Sequence, residues 1–131
     1  MGKGEIMVPV SAGELVDKLT ILDIKLAHVR DAGQRANIAR EQALLAALVA
    51  PIVAAEPEVE ALQGRLREVN ATLWDVEDRL REHERDGVFD DAFIQLARQV
   101  YHRNDERARL KKAINRKTGS AIVEEKLYAD Y

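Results

Sequence analysis

Polar side chains occupy positions of the fourth predicted helix where a bundle helix should be apolar. Its core stripe is interrupted for about two turns by Arg103, Asn104 and Arg107. On the third predicted helix, a polar stripe at 4,3,4 spacing lies beside the apolar seam. Folding the two helices into a hairpin brings both stripes to one level of the bundle. The candidate ligand-binding residues at that level are Asn70, Trp74, Glu77, Asn104 and Arg107, with Asp78 and Lys111 nearby.

These residue types allow two interpretations. In the first, the layer is structural: either an asparagine and ion-pair layer fixes the register of neighbouring helices, since buried charges must be paired, or a helix end extends into solvent. In the second, the layer is a pocket for an anionic or amide-bearing ligand, with Arg107 as a bidentate donor and Trp74 as one wall. The sequence favours the structural interpretation and leaves the pocket as the alternative.

Carboxylates one helical turn apart form two pairs that could ligate Mg²⁺. Glu14 and Asp17 begin the first predicted helix, and Asp75 and Asp78 lie on the third. Mg²⁺ is bound by carboxylate oxygens, but carboxylates in a first helical turn more often stabilise the helix dipole. Magnesium is therefore a weak expectation, and no other cofactor is expected.

Four helices position these residues, and we predict an all-α, four-helix bundle-like domain over residues 1–131. A short helical hairpin packs on a long antiparallel helical hairpin, with extended termini. The predicted helices span residues 12–30, 35–50, 57–85 and 90–117, with an extended lead-in over 5–10 and a tail over 120–131. Ser11 and Glu14 have the spacing of a capping box, Pro51 is expected to end the second helix, and Gly119 is placed to stop the fourth.

The third predicted helix carries the most regular pattern in the chain. Its apolar residues repeat at 3,4 spacing from Val59 to Leu80, which is typical of a coiled-coil-like seam. Residues 56–91 hold 12 acidic and 5 basic side chains, whereas residues 98–117 hold 8 basic and 2 acidic ones. We expect the acidic and the basic helix to lie side by side with opposite charges facing each other. Such pairing makes a nucleic-acid interface unlikely on this helix.

Composition excludes several classes of protein. The chain has 131 residues, no cysteine and a net charge of -3, so disulfide scaffolds, thiolate metal sites and strongly cationic nucleic-acid binders are excluded. The longest apolar run, over 43–55, is short for a membrane span and contains Pro51. With no secretory signal recognisable, we expect a cytoplasmic protein that does not bind membranes.

Four segments resemble a family of small bacterial and phage proteins of unknown function. They are VPVSAGELVDKLTILDIKL, NATLWDVED, FIQLARQVYHRNDERARLKKAIN and TGSAIVEEKLY. The resemblance implies a compact helical protein and brings no established activity. It also implies a shared pattern of residues: Gly13, Glu14, Asp17, Lys18, Trp74, Glu77, Asn104, Asp105, Lys111 and Asn115.

The functional expectation is a non-catalytic helical assembly or adaptor module, because the heptad is uninterrupted and no strong catalytic motif occurs. The third and fourth predicted helices outreach the first two by about ten residues, so a second copy is expected to cover their ends in a homodimer. A separate protein partner fits the same reasoning. The alternative is a small enzyme or ligand-binding protein that acts on a phosphorylated metabolite or nucleotide, with Mg²⁺ as a candidate ion.

Overall fold

The computed structural model describes residues 4–131 and consists of four α-helices, with no β-strand in that range. The helices are α1 (Ala12–His28), α2 (Ala32–Ala55), α3 (Glu58–Asp86) and α4 (Asp91–Thr118). α3 and α4 form a long antiparallel hairpin, and α1 packs against all three other helices. The all-α bundle expected from the sequence is confirmed.

Capping residues set most of the helix ends. The Ser11 hydroxyl accepts a hydrogen bond from the backbone N–H of Glu14 at 3.1 Å, so half of the expected capping box forms. Asp90 caps α4 in the same way, through the N–H of Phe93. α3 and α4 end at Gly87 and Gly119, whose φ angles of 67° and 64° are left-handed and favour glycine.

α2 departs most from the predicted boundaries. It begins at Ala32, because the Asp31 side chain accepts from the N–H of Gln34 at 2.8 Å and caps the helix. It also continues through Pro51 to Ala55, so the expected end at Pro51 is wrong. Pro51 is exposed, and water can therefore satisfy the carbonyl that its missing N–H leaves free. The first hairpin is accordingly not short: α2 has 24 residues against 17 in α1.

The continuation of α2 through Pro51 also bears on the expectation that no segment is long enough to span a membrane. Within residues 4–131 it is the one helix that is long and apolar enough to cross a membrane, by length and composition only. Val49 is the single buried residue of α2. Its outward side is therefore both apolar and exposed.

The apolar core lies between the base of the α3–α4 hairpin and the helices α1 and α2. It is formed by Val16, Leu19, Val49, Val59, Leu66, Val69, Leu73, Leu110 and Ile114. Nearer the tip of the hairpin, Val76 and Leu96 are buried, while Val88, Phe89 and Ile94 are exposed. Of the seven residues of the seam predicted on α3, five are buried and Leu62 and Leu80 are half-buried.

The charges of the hairpin do not pair as the sequence suggested. Within residues 4–131, one lysine–carboxylate pair, Lys117 with Glu58, joins α4 to α3. The inward cations of α4 instead reach α1, and Lys111 and Lys112 also contact glutamates of the tail. The reason is that α1 lies against α4 and presents carboxylates to it.

The tail (residues 120–131) has no helix or strand and turns back along α4. Glu124 contacts Lys111, and the Tyr131 hydroxyl donates to Asp105, nearer the hairpin tip. The Tyr131 ring also lies 5.1 Å from that of Tyr101, centroid to centroid. The lead-in over 5–10 forms no helix or strand and is exposed.

Candidate ligand-binding cleft

The face of α1 that meets α4 carries small and polar residues instead of leucines. Gly13, Asp17, Thr20 and Ile24 follow one another at 4,3,4 spacing and are all buried. A Cβ atom at Gly13 would lie 2.4 Å from the backbone carbonyl oxygen of Lys111, so only glycine permits the helices to approach this closely. The Gly13 N–H donates to the buried Asn115 side chain at 2.7 Å, which locks the crossing.

Asp17 is the centre of a buried hydrogen-bond network. Its side chain is 1% exposed and receives both the Nε and the Nη2 hydrogens of Arg107, at 2.9 and 2.6 Å. Asn70 on α3 donates through Nδ2 to Asp17 and to the Thr20 hydroxyl, each at 2.9 Å. The hydrogen bond to Asp17 raises the pKa of Arg107 above its ordinary value. The Asp17–Arg107 ion pair thus joins α1 to α4, and Asn70 joins α3 to the same pair.

Lys111 forms a second bridge, one turn closer to the base of the bundle. Its Nζ lies 2.6 Å from Glu14 and 3.0 Å from Glu124. Burial alone would lower the pKa of Lys111, but the hydrogen bonds to the two carboxylates raise it above the ordinary value. Lys111 therefore holds the tail and α1 to α4, and it does not line the cleft described next.

An open cleft of about 390 Å³ lies between α1, α3 and α4, beside the Asp17 network. Its volume falls within the usual range for small-molecule sites, roughly 300–1,000 Å³. Apolar side chains from α1 and α3 form one part of the wall: Ile21, Ile24, Leu73 and Trp74. Polar residues form the rest: Asn70, Glu77, Asp78, Arg81, Asn104 and Arg107. The structure thus brings together in one cleft the candidate residues that the sequence places at one level of the bundle, except for Lys111.

The Trp74 indole is held in place from behind. The imidazole ring of His28, the last residue of α1, lies 4.9 Å from it between centroids, at an interplanar angle of 33°. Asn104 donates through Nδ2 to the Val100 carbonyl oxygen at 2.9 Å, and its Oδ1 is 3.5 Å from Nη1 of Arg107. The walls of the cleft are therefore positioned by contacts that need no ligand.

A model of a protein family matches nearly the whole chain, over residues 6–130. The chain belongs to DUF6165. This is a family of unknown function, as the resemblance of the sequence implied. Comparisons with curated proteins and with solved structures give no significant match for this DUF6165 chain.

The carboxylates considered for Mg²⁺ have separate surroundings in this DUF6165 protein. Glu14 and Asp17 are bound by Lys111 and Arg107, and Asp75 is an exposed residue that pairs with Arg79 at 3.6 Å. Asp78 lines the cleft. Over the part of the chain that the structure describes, no group of three or more histidine or carboxylate side chains could hold a metal ion.

The arrangement changes what Arg107 can do chemically. Asp17 occupies the Nε–Nη2 edge of its guanidinium group, so a ligand can meet only the remaining Nη1 and Nη2 hydrogens. Sequence reasoning missed this pair because Asp17 was considered as a metal ligand and α1 was not placed against α4. The 4,3 spacing of Gly13, Asp17 and Thr20 was the available signal, but it is not an apolar pattern.

Proposed function

We propose that this DUF6165 protein is a non-catalytic helical assembly module that pairs with a second copy of itself through α2. The observation that carries the proposal is the composition of an exposed helix. From Gln42 to Ala55, α2 has no charged residue, yet Val49 alone is buried. A surface helix normally carries charged and polar side chains on its solvent side, so this side of α2 is suited to a contact.

We call the exposed uncharged residues of α2 its outer face. Leu44, Leu48 and Pro51 lie along the middle of this face, and alanines lie beside them. Leu48 is 55% exposed. An apolar helix face with small flanking residues allows a second helix to approach closely.

The total surface of the chain supports a covering partner. Its accessible surface is 8971 Å², whereas a compact monomer of this mass exposes about 6,900 Å². The excess of roughly 2,100 Å² includes the extended termini, and it is larger than the ~800 Å² per partner of a standard interface. The chain therefore has enough uncovered surface for a stable dimer.

Charge favours a second copy as the occupant of the outer face. In a two-fold antiparallel pairing centred on Leu48, Arg40 of one chain comes level with Glu56 of the other, because the two are equidistant from Leu48 in sequence. Opposite charges are then level with each other at both ends of the contact, where their attraction favours the antiparallel arrangement. Glu56, Glu58 and Glu60 follow the apolar segment and oppose contact with an anionic lipid surface.

Sedimentation equilibrium at micromolar concentration tests the proposal. The wild-type chain is expected to be a dimer, and Leu48→Glu is expected to make it monomeric without loss of helical content. Ile94→Glu on α4 is the matched control, because Ile94 is 51% exposed near the hairpin tip. A wild-type monomer would overturn the proposal, and so would a dimer that dissociates with Ile94→Glu but not with Leu48→Glu.

A charge reversal tests the antiparallel arrangement separately. Arg40→Glu and Glu56→Arg should each weaken the dimer, and the double variant should restore it, because the swapped charges again face each other. Lack of restoration contradicts the pairing. If the wild-type chain is a monomer that binds anionic lipid vesicles, and Leu48→Glu abolishes that binding, the outer face is a membrane-binding surface instead.

A further inference from the structure

We propose that the cleft beside Trp74 binds a small organic cation with N–H donors, such as an alkylammonium or alkylguanidinium group. This inference concerns a different surface from the outer face of α2. It rests on the charge of the cleft, on its indole wall and on the hydrogen-bond acceptors that the surrounding network leaves available.

The cleft carries a negative rim. Glu77, Asp78 and Arg81 of α3 line it, and none of the three forms a salt bridge with any residue in the range 4–131 that the structure describes. The two carboxylates outnumber the single guanidinium group. The other cation of the cleft, Arg107, is already neutralised by Asp17 at 2.6 Å. A positive ligand group is therefore favoured over a phosphate.

The acceptors of the cleft suit a ligand with N–H groups. Both amide hydrogens of Asn70 are used inside the network, by Asp17 and by Thr20. Asn70 is 5% exposed. No described residue donates to its Oδ1, and this oxygen is not fully buried, because every fully buried side-chain oxygen of the described residues has a partner. That oxygen is therefore the atom through which the buried amide can bind a donor, alongside the carboxylates of the rim.

The apolar part of the cleft suits the body of such a ligand. Ile21, Ile24 and Leu73 can contact an alkyl chain, and the Trp74 indole can contact the cation itself. Tryptophan is the most favourable aromatic side chain for a cation, and the interaction is stronger where water is displaced. Because His28 packs against the indole, the ring does not have to be ordered by the ligand.

Trp74 is the only tryptophan in the chain, so its fluorescence reports on the cleft. Because Trp74 also lines a second hollow beside Lys25 and Gln34, the variants of the rim decide which of the two the ligand occupies. Agmatine, which carries an ammonium and a guanidinium group on an alkyl chain, is the probe. We expect a saturable change in Trp74 emission with agmatine, and no change with sodium chloride at equal ionic strength. Adenosine monophosphate and inorganic phosphate are expected to bind more weakly than agmatine.

Variants of the exposed rim test the assignment without disturbing the buried network. Glu77→Gln with Asp78→Asn should weaken agmatine binding by about tenfold, and Arg81→Gln should strengthen it. Asp75→Asn is the matched control, because Asp75 lies on the same helix outside the cleft, and it should leave binding unchanged. The proposal is overturned if agmatine gives no saturable change, if the double variant binds as tightly as the wild type, or if phosphate binds more tightly.

Discussion

The α1–α4 interface and the outer face of α2 distribute polar and apolar residues in opposite ways. Between α1 and α4, charged and amide side chains are buried, and Asp17 is bound by both Asn70 and Arg107. On α2, leucines and alanines face solvent. Among the described residues, no buried side-chain nitrogen or oxygen atom lacks a hydrogen-bond partner.

Buried polar residues and exposed apolar residues therefore have different roles in this bundle. Buried ion pairs add little net stability compared with apolar packing, but they are costly to disrupt because the remaining charge stays buried. The α1–α4 interface therefore specifies how α1 lies on the hairpin. An exposed apolar helix face costs solubility unless it is covered, which is why we propose the outer face of α2 as a surface for association.

Breaking the central ion pair should have the largest effect. Arg107→Ala leaves the Asp17 carboxylate buried with Asn70 as its remaining side-chain partner, so the free energy of unfolding should fall by about 3–5 kcal/mol. Arg109→Ala, an exposed arginine on the same helix, should change it by less than ~0.5 kcal/mol. Urea denaturation followed by circular dichroism measures both. Equal effects of the two substitutions would contradict the assigned role of Arg107.

The close approach of α1 to α4 gives the next largest effect. Gly13→Ala places a Cβ atom 2.4 Å from the Lys111 carbonyl oxygen, and the resulting displacement of α1 should destabilise the fold by about 2 kcal/mol. Gly64→Ala is the control, since a Cβ there has no heavy atom within 4 Å. That substitution should stabilise α3 by up to ~1 kcal/mol, so the two changes should have opposite signs in a thermal unfolding experiment.

On α2, Pro51→Ala tests whether the proline inside this exposed helix lowers the stability of the protein. Alanine restores one backbone hydrogen bond inside the helix, while the unfolded chain becomes less restricted, and a net stabilisation of about 1 kcal/mol is expected. Pro57 precedes the first residue of α3 with φ of -59°, a conformation that proline prefers. Pro57→Ala should therefore give no gain when both variants are unfolded at the same protein concentration.

The contact of the tail should give the smallest effect, and it should depend on pH. The hydrogen bond from Lys111 lowers the pKa of Glu124 below its ordinary value. The contact is therefore complete above the ordinary glutamate range and is lost as pH falls through the lowered pKa. Because the pKa of Lys111 is raised, its contribution persists through neutral pH and is lost only as pH rises through that raised value.

NMR signals of the tail residues follow this contact between neutral and acidic pH. Glu124→Gln should show the released tail already at neutral pH, with a stability loss below ~1 kcal/mol, since the Glu124 side chain is half exposed. A tail whose signals do not change on acidification, or in the Gln variant, would contradict the role of Lys111.

The sequence predicts the number and type of helices well, because apolar periodicity and caps such as Ser11 and Gly119 act locally. The sequence also places the polar residues of α3 and α4 at the same level of the hairpin. This works because the short loop between the two helices fixes which residues lie opposite each other. The sequence does not predict how α1 crosses α4. That crossing depends on Gly13 and on the Asp17–Arg107 pair, which are distant in the chain and follow no apolar pattern. The prediction that Pro51 ends α2 was wrong because a proline can also be accommodated inside a helix, here at an exposed position where water can reach the freed carbonyl.

The reversal of the tail along α4 has a practical consequence for labelling. Tyr131 contacts Asp105, which precedes Gly119 by roughly 14 residues, or about 21 Å of helix. A fluorophore attached at position 129, which leaves Tyr131 intact, would consequently emit from beside the middle of α4, and its energy transfer to an acceptor on that helix would register each detachment of the tail.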